Sequence, residues 1–175
     1  MSGAGTPVIG IAGWKNSGKT TLAVGLIEEF TRRGLRVATV KHAHHTFQID
    51  TLDTDSARHR RAGAAQVAIV SSRRWALMTE TAPADEPPLA EILAKLAPAD
   101  LIVVEGYKRA VMPKIEVRRK GASQTEPLAP HDPNIVAIAA DTPDAHAGML
   151  PVFHLDDVSG LADFLTRTLR LISNA

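Results

Sequence analysis

The chain has 175 residues, 45% of them hydrophobic and 22% charged, with a formal net charge of +1 and no cysteine. That length suits a single domain able to bury a core, here taken as 1–175; the near-neutral charge argues against a nucleic-acid partner. The missing cysteines exclude disulfides, thiolate metal sites and a cysteine nucleophile.

The opening MSGAGTP has neither the basic start nor the apolar core of a secretion signal. No apolar run approaches the roughly 20 residues that span a bilayer. The expectation is a cytoplasmic protein with no membrane contact. Val8–Ala12 then reads as a strand buried on both faces. From Lys19 the period changes: Leu22, Leu26 and Phe30, with Ala23 and Ile27 beside them, form one apolar helical face. Arg32 and Arg33 fall in the last turn and Gly34 stops the helix. Arg36–Val40 is a second strand, so strand, glycine loop, helix and strand make a βαβ unit and a parallel sheet.

Lys41–Thr54 has no sustained period and reads as a loop. Asp55 caps a short helix through Ala62, stopped by Gly63. Gln66–Val70 and Trp75–Thr79 read as strands joined by the turn Ser71-Ser72-Arg73-Arg74, a hairpin. After the Pro-rich Ala82–Pro88, the residues Leu89, Ile92, Leu93 and Leu96 have helical spacing, with Pro88 as first helical residue. Asp100–Gly106 is a central strand. Lys114–Arg119 alternates charged and apolar, so it is expected to be half exposed, with Ile115 and Val117 inward. Gly121–Pro133 is a loop, Ile135–Ala139 a buried strand and Val152–His154 a short last strand. Asp156 or Asp157 caps a final helix carrying Val158, Leu161, Leu165, Leu169 and Ile172. The fold expected is an α/β P-loop NTPase, a doubly wound, mostly parallel sheet with a β-hairpin extension.

The stretch GWKNSGKTT, Gly13 to Thr21, matches G-x-x-x-x-G-K-[ST], the Walker A loop, between a strand and an amphipathic helix. Phosphate oxygens must approach the main chain closely, which glycine permits. Successive backbone N–H groups of the loop can then form an anion nest, extended by the helix that starts at Gly18. Lys19 reaches the β- and γ-phosphates, the Thr20 hydroxyl ligates Mg²⁺, and Thr21 sits on the α-phosphate side. Glu105 ends a buried strand in the Walker B manner and serves the metal shell or orients a water; the plainer reading is a carboxylate capping a turn amide.

Asp53 and Asp55 lie where a switch segment can face the metal, although Asp55 is equally a helix cap. Lys41-His42-Ala43-His44-His45 invites a metal reading but lacks a further spaced ligand set; substrate or phosphate contact suits a loop leaving a strand's C-terminal end. Arg58, Arg60 and Arg61 steer an anionic partner or form a solvated face.

Taken together, GWKNSGKTTL, VKHAHH, DSARHRRAGA, RWALMTE and DLIVVEGYK are similar to the MobB family, the molybdopterin-guanine dinucleotide biosynthesis adapter proteins. The similarity runs from about Val8 to Arg119 and more loosely to Ala140. The resemblance implies a P-loop GTP-binding protein with weak GTPase activity, commonly a homodimer. It implies a role beside the molybdopterin guanylyltransferase, which joins GMP from GTP to molybdopterin, and contact with molybdopterin or its carrier. By the same resemblance Lys15 through Thr21 hold GTP, and Thr20 and Glu105 hold Mg²⁺. Lys19, Glu105 and Asp55 would be the catalytic candidates, and His42 and Lys108 would lie near the nucleotide or the partner.

One departure concerns guanine. The [NT]-K-x-D motif is reduced to Ile138-Ala139-Ala140-Asp141, which keeps only the aspartate. A carboxylate at Asp141 can still accept from the guanine N1–H and 2-amino groups. A small-molecule kinase would need a lid bearing arginines, for which Arg109, Arg118 and Arg119 or the Arg58–Arg61 segment are the candidates. A nucleotide-gated metallochaperone would lean on the histidine cluster.

Overall fold

In a computed structural model of the chain, the residues described are 5–43, 54–82, 85–123, 126–142 and 147–171. Asp53, His44, His45 and Ile172 lie outside them. The chain divides into two compact units, Met1–His42 with Leu89–Ala175, and Ala43–Pro88.

The first unit holds β1 (Val8–Gly13), α1 (Lys19–Arg32), β2 (Val37–Lys41), α3 (Leu89–Ala94), β5 (Leu101–Glu105), β6 (Lys114–Arg118), β7 (Ile135–Ala140), β8 (Val152–His154) and α4 (Val158–Leu169). Its six strands lie in the order β2-β5-β1-β6-β7-β8, and every neighbouring pair is parallel. Because side chains alternate along a strand, β1, β2 and β5 supply two cores. Ile9, Ile11, Val103, Ile115 and Ala137 meet Leu22, Leu26 and Phe30 of α1 and Leu161 and Leu165 of α4 on one face. Val40, Ile102 and Val104 meet Met112 and α3 residues Leu89, Ile92 and Leu93 on the other. The sheet is therefore doubly wound, and fully parallel where a mostly parallel one was expected.

Local signals account for the element ends. Gly34, at φ 84°, takes the left-handed position after α1, and Leu35 N–H returns to Phe30 O at 3.0 Å. Of the two aspartates offered as the last cap, Asp157 does the work: its Oδ1 accepts from Gly160 N–H at 3.0 Å.

The second unit contains α2 (Asp55–Arg61) and the antiparallel pair β3 (Gln66–Val70) and β4 (Trp75–Thr79). The hairpin is the expected one, closed by Ser71 N–H to Arg74 O at 2.9 Å. The expected cap of α2 is corrected: Thr54, not Asp55, is the N-cap, its Oγ1 accepting from Ala57 N–H at 3.3 Å. Asp55 is the first helical residue, where its charge meets the positive end of the helix.

The larger correction is β6. Expected to be half exposed, it lies between β1 and β7, and Lys114 and Glu116 are each 1% exposed. The Glu116 carboxylate accepts from Leu128 N–H at 2.7 Å, Ala129 N–H at 2.8 Å and the Arg118 guanidinium at 2.7 Å. Lys114 Nζ donates to Asp132. The returning segment with its 3-10 turn at Ala129–His131 brings these partners, so the charges are buried and satisfied.

Candidate functional site

The Walker stretch lies where β1 ends, with β5 on one side and β6 on the other. Gly13 is held there by crowding: a Cβ would stand 2.6 Å from Ser17 Oγ and 2.7 Å from Val117 O. Asn16 (φ 66°) and Gly18 (φ 96°) then turn the chain through left-handed conformations, which those residue types tolerate best. Ser17 is 1% exposed, and its Oγ has no hydrogen-bond partner among the described residues. Gly18 is the N-cap of α1 and offers no side-chain cap, so the first amides of the helix stay available. The resulting cleft, of about 360 Å³, is lined by Asn16, Gly18, Lys19, Thr20, Thr21 and Arg119.

Positive charge converges on this loop. Lys19 Nζ donates to Trp14 O at 2.7 Å, folded back over the turn it belongs to. Lys108 Nζ stands 3.8 Å from the Trp14 ring centroid, a cation–π contact. Burial first, then the Lys108 charge, with Lys41 adding to it, hold the Lys19 pKa below the ordinary lysine value, while Glu105 pulls the other way. Burial lowers Lys108 likewise. Ammonium groups that repel one another in a partly desolvated loop are poised to receive a polyanion.

The metal-side residues also meet. The strand register sets Glu105 opposite Ile11 of β1 and Lys41 of β2. Thr20 Oγ1 donates to Glu105 Oε1 at 2.7 Å, and Lys41 Nζ lies 3.4 Å from each of those oxygens. A hydroxyl and a carboxylate side by side form a hard-oxygen pair that fits Mg²⁺ when phosphates and water complete the shell.

Other expected site residues are placed less centrally. The His42 ring packs on Tyr107, centroids 4.6 Å apart, and the His42 main-chain N–H donates to Glu105 O at 2.9 Å. A Cβ on Gly106 would come within 2.8 Å of His42 Cβ, so the Gly-Tyr turn and this histidine are fitted to each other. Asp141, at the end of β7, accepts from Lys120 N–H with both oxygens, at 3.1 and 3.0 Å. Asp55 belongs to the second unit, with a 90% exposed side chain 3.7 Å from Arg58. Among the described residues there is no cluster of three or more His, Cys, Asp or Glu side chains arranged for a metal ion.

Two cations at the site come from strand ends: in the sequence Lys41 reads with the histidine cluster as a substrate or phosphate contact, and Arg119 only as an arginine for a kinase lid. Lys41 is the last residue of β2, and Arg119 follows β6. The signal was positional: loops leaving the C-terminal ends of parallel strands form the crevice.

Comparison with known proteins points the same way. The sequence pattern of the family described as molybdopterin guanine dinucleotide synthesis protein B, MobB, matches residues 8–141. The chain is 38% identical over 162 residues to the molybdopterin-guanine dinucleotide biosynthesis adapter protein of Escherichia coli (strain K12), covering 91% of each. It is 41% identical over 140 residues to the protein of that name from Haemophilus influenzae, covering 78% of this chain and 76% of the relative. Its fold is similar to the crystal structure of the MobB protein homolog from Bacillus stearothermophilus, with a TM-score of 0.70 at 31% identity over 93% of this chain and 97% of that one.

Proposed function

This chain belongs to the MobB family, and on that premise we propose that it is a GTP-binding adapter in molybdopterin guanine dinucleotide biosynthesis. It binds GTP in the Walker loop and assists a molybdopterin guanylyltransferase as GMP is attached to molybdopterin, free or on its carrier. It acts as a cytoplasmic homodimer; among the described residues no helix is long and apolar enough to cross a membrane.

The observation that carries this reading is the cleft built from Asn16 to Thr21, with uncapped helix amides and a crowd of lysines beside it. Lys19 exchanges the Trp14 carbonyl for the β- and γ-phosphates, and Thr21 faces the α-phosphate. Thr20 and Glu105 would hold Mg²⁺, which would offset negative charge on the phosphates. Asp141 accepts from the guanine edge, and His42 and Lys108 border the nucleotide. Hydrolysis is slow, as it is in P-loop GTPases to which no partner supplies an arginine. Asp55 presents an exposed carboxylate to the partner enzyme.

Calorimetry with GTP and ATP, with and without Mg²⁺, tests this function. Tight GTP binding that Lys19→Ala abolishes, with the fold intact by circular dichroism, is the expected outcome. Equal affinity for ATP removes the guanine assignment, and an unaltered Lys19→Ala removes the loop assignment. Retention of the guanylyltransferase on the immobilised protein with GTP and molybdopterin tests the adapter role; transfer of phosphate to a small acceptor instead makes it a kinase.

A further inference from the structure

Arg119 is a cleft-lining cation that the Walker loop itself does not supply. We propose that it grips the diphosphate of the bound nucleotide and that Asp141 is the positioning residue that aims it. This inference rests on the nucleotide reading above and adds a residue and a coupling to it.

The geometry begins in the ladder. Gly13 is in register with Val117, so β6 carries the chain past the end of β1, and Arg119 arrives over the Walker loop. A Cβ on Gly18 would lie 4.0 Å from Arg119 Cδ, which puts the stem of the side chain against the start of α1. Gly18 and Thr21 line the cleft with it, and with Thr21 assigned to the α-phosphate the guanidinium would serve the α- and β-phosphate side. Its planar fork suits two non-bridging oxygens at once, which an ammonium cannot match.

The main chain around Arg119 is pinned on both sides. Before it runs β6, paired to β1 and β7. After it, Lys120 N–H is held by both oxygens of Asp141, Ala122 N–H returns to Arg119 O at 3.1 Å, and Ser123 N–H donates to Lys15 O at 3.0 Å. The Asp141 carboxylate is therefore the brace of the turn that carries Arg119. A carboxylate oxygen has lone pairs to spare after one amide, so the same group can accept from guanine while it holds Lys120. Base recognition and phosphate grip would then share one side chain, and a purine that leaves Asp141 unsatisfied would not stabilise the turn.

The test measures GDP and GTP affinity by calorimetry for the full chain and its variants. Arg119→Ala is expected to weaken both ligands roughly tenfold or more, the scale of a lost charge-assisted bond, and Arg119→Lys to recover only part of it. Asp141→Ala is expected to remove the Arg119 contribution, so that Arg119→Ala adds little in that background. Asp141→Asn keeps an amide oxygen for Lys120 N–H, so there Arg119→Ala should again cost roughly tenfold. Wild-type affinity in Arg119→Ala, or losses that multiply in the Arg119→Ala/Asp141→Ala double variant, overturn the inference while leaving GTP binding by the parent intact. A parent that binds neither nucleotide overturns both this inference and the function it rests on.

Discussion

Glu116 illustrates how a single residue can hold two segments together. Its carboxylate is removed from water but receives two main-chain amides and the Arg118 guanidinium. Glu116→Ala would leave those donors in place without an acceptor, and such breaks cost about 3–5 kcal/mol. Urea denaturation should show a loss of that size, and Glu116→Gln, which keeps one acceptor oxygen, a smaller one. Nothing in the string Lys114-Ile115-Glu116-Val117-Arg118 announces this burial. Its alternation reads as one wet face, because the partners that dry it, Leu128, Ala129 and Asp132, come from a segment that has no period of its own. The Walker residues were legible for the opposite reason. Their pattern is local: the glycines, Lys19 and Thr20 sit in one short stretch, while Lys41, Glu105, Lys108 and Arg119 come from elsewhere in the chain.

At the scale of elements, helical and strand periods identified most of the fold, and apart from the burial of β6 the differences are shifts of one or two residues at element ends. Thr54 and Asp55 can both cap, as can Asp156 and Asp157, and the side chain that reaches the free amide decides. Helix α4 is the clearest case of a period read correctly, since Leu161 and Leu165 are fully buried against the α1 face. Leu165→Ala should lower stability by about 2–5 kcal/mol through the transfer and cavity terms, measured as a shift of the urea midpoint without a change of slope. Strand neighbours were beyond reach: a parallel sheet follows from the first βαβ unit, but no pattern in β5 or β6 says that both flank β1.

For the molecule as a whole, ligand and fold are linked. A nucleotide that binds the native chain at a hundred times its Kd adds about 2.7 kcal/mol to stability. GTP with Mg²⁺ should therefore raise the Tm of the parent, and it should not move that of Lys19→Ala, which scanning calorimetry can check. The strand register carries a further consequence for synthesis. Ile9 pairs with Val103, and Ile11 with Ile115, so the strand leading into the Walker loop has both neighbours far downstream. On the ribosome the loop emerges early, yet the walls that give it shape, Glu105 and Arg119 included, are translated much later. A nascent chain halted before Lys114 thus holds the full Walker sequence and no working cradle, so nucleotide capture marks a chain read through at least to Arg119.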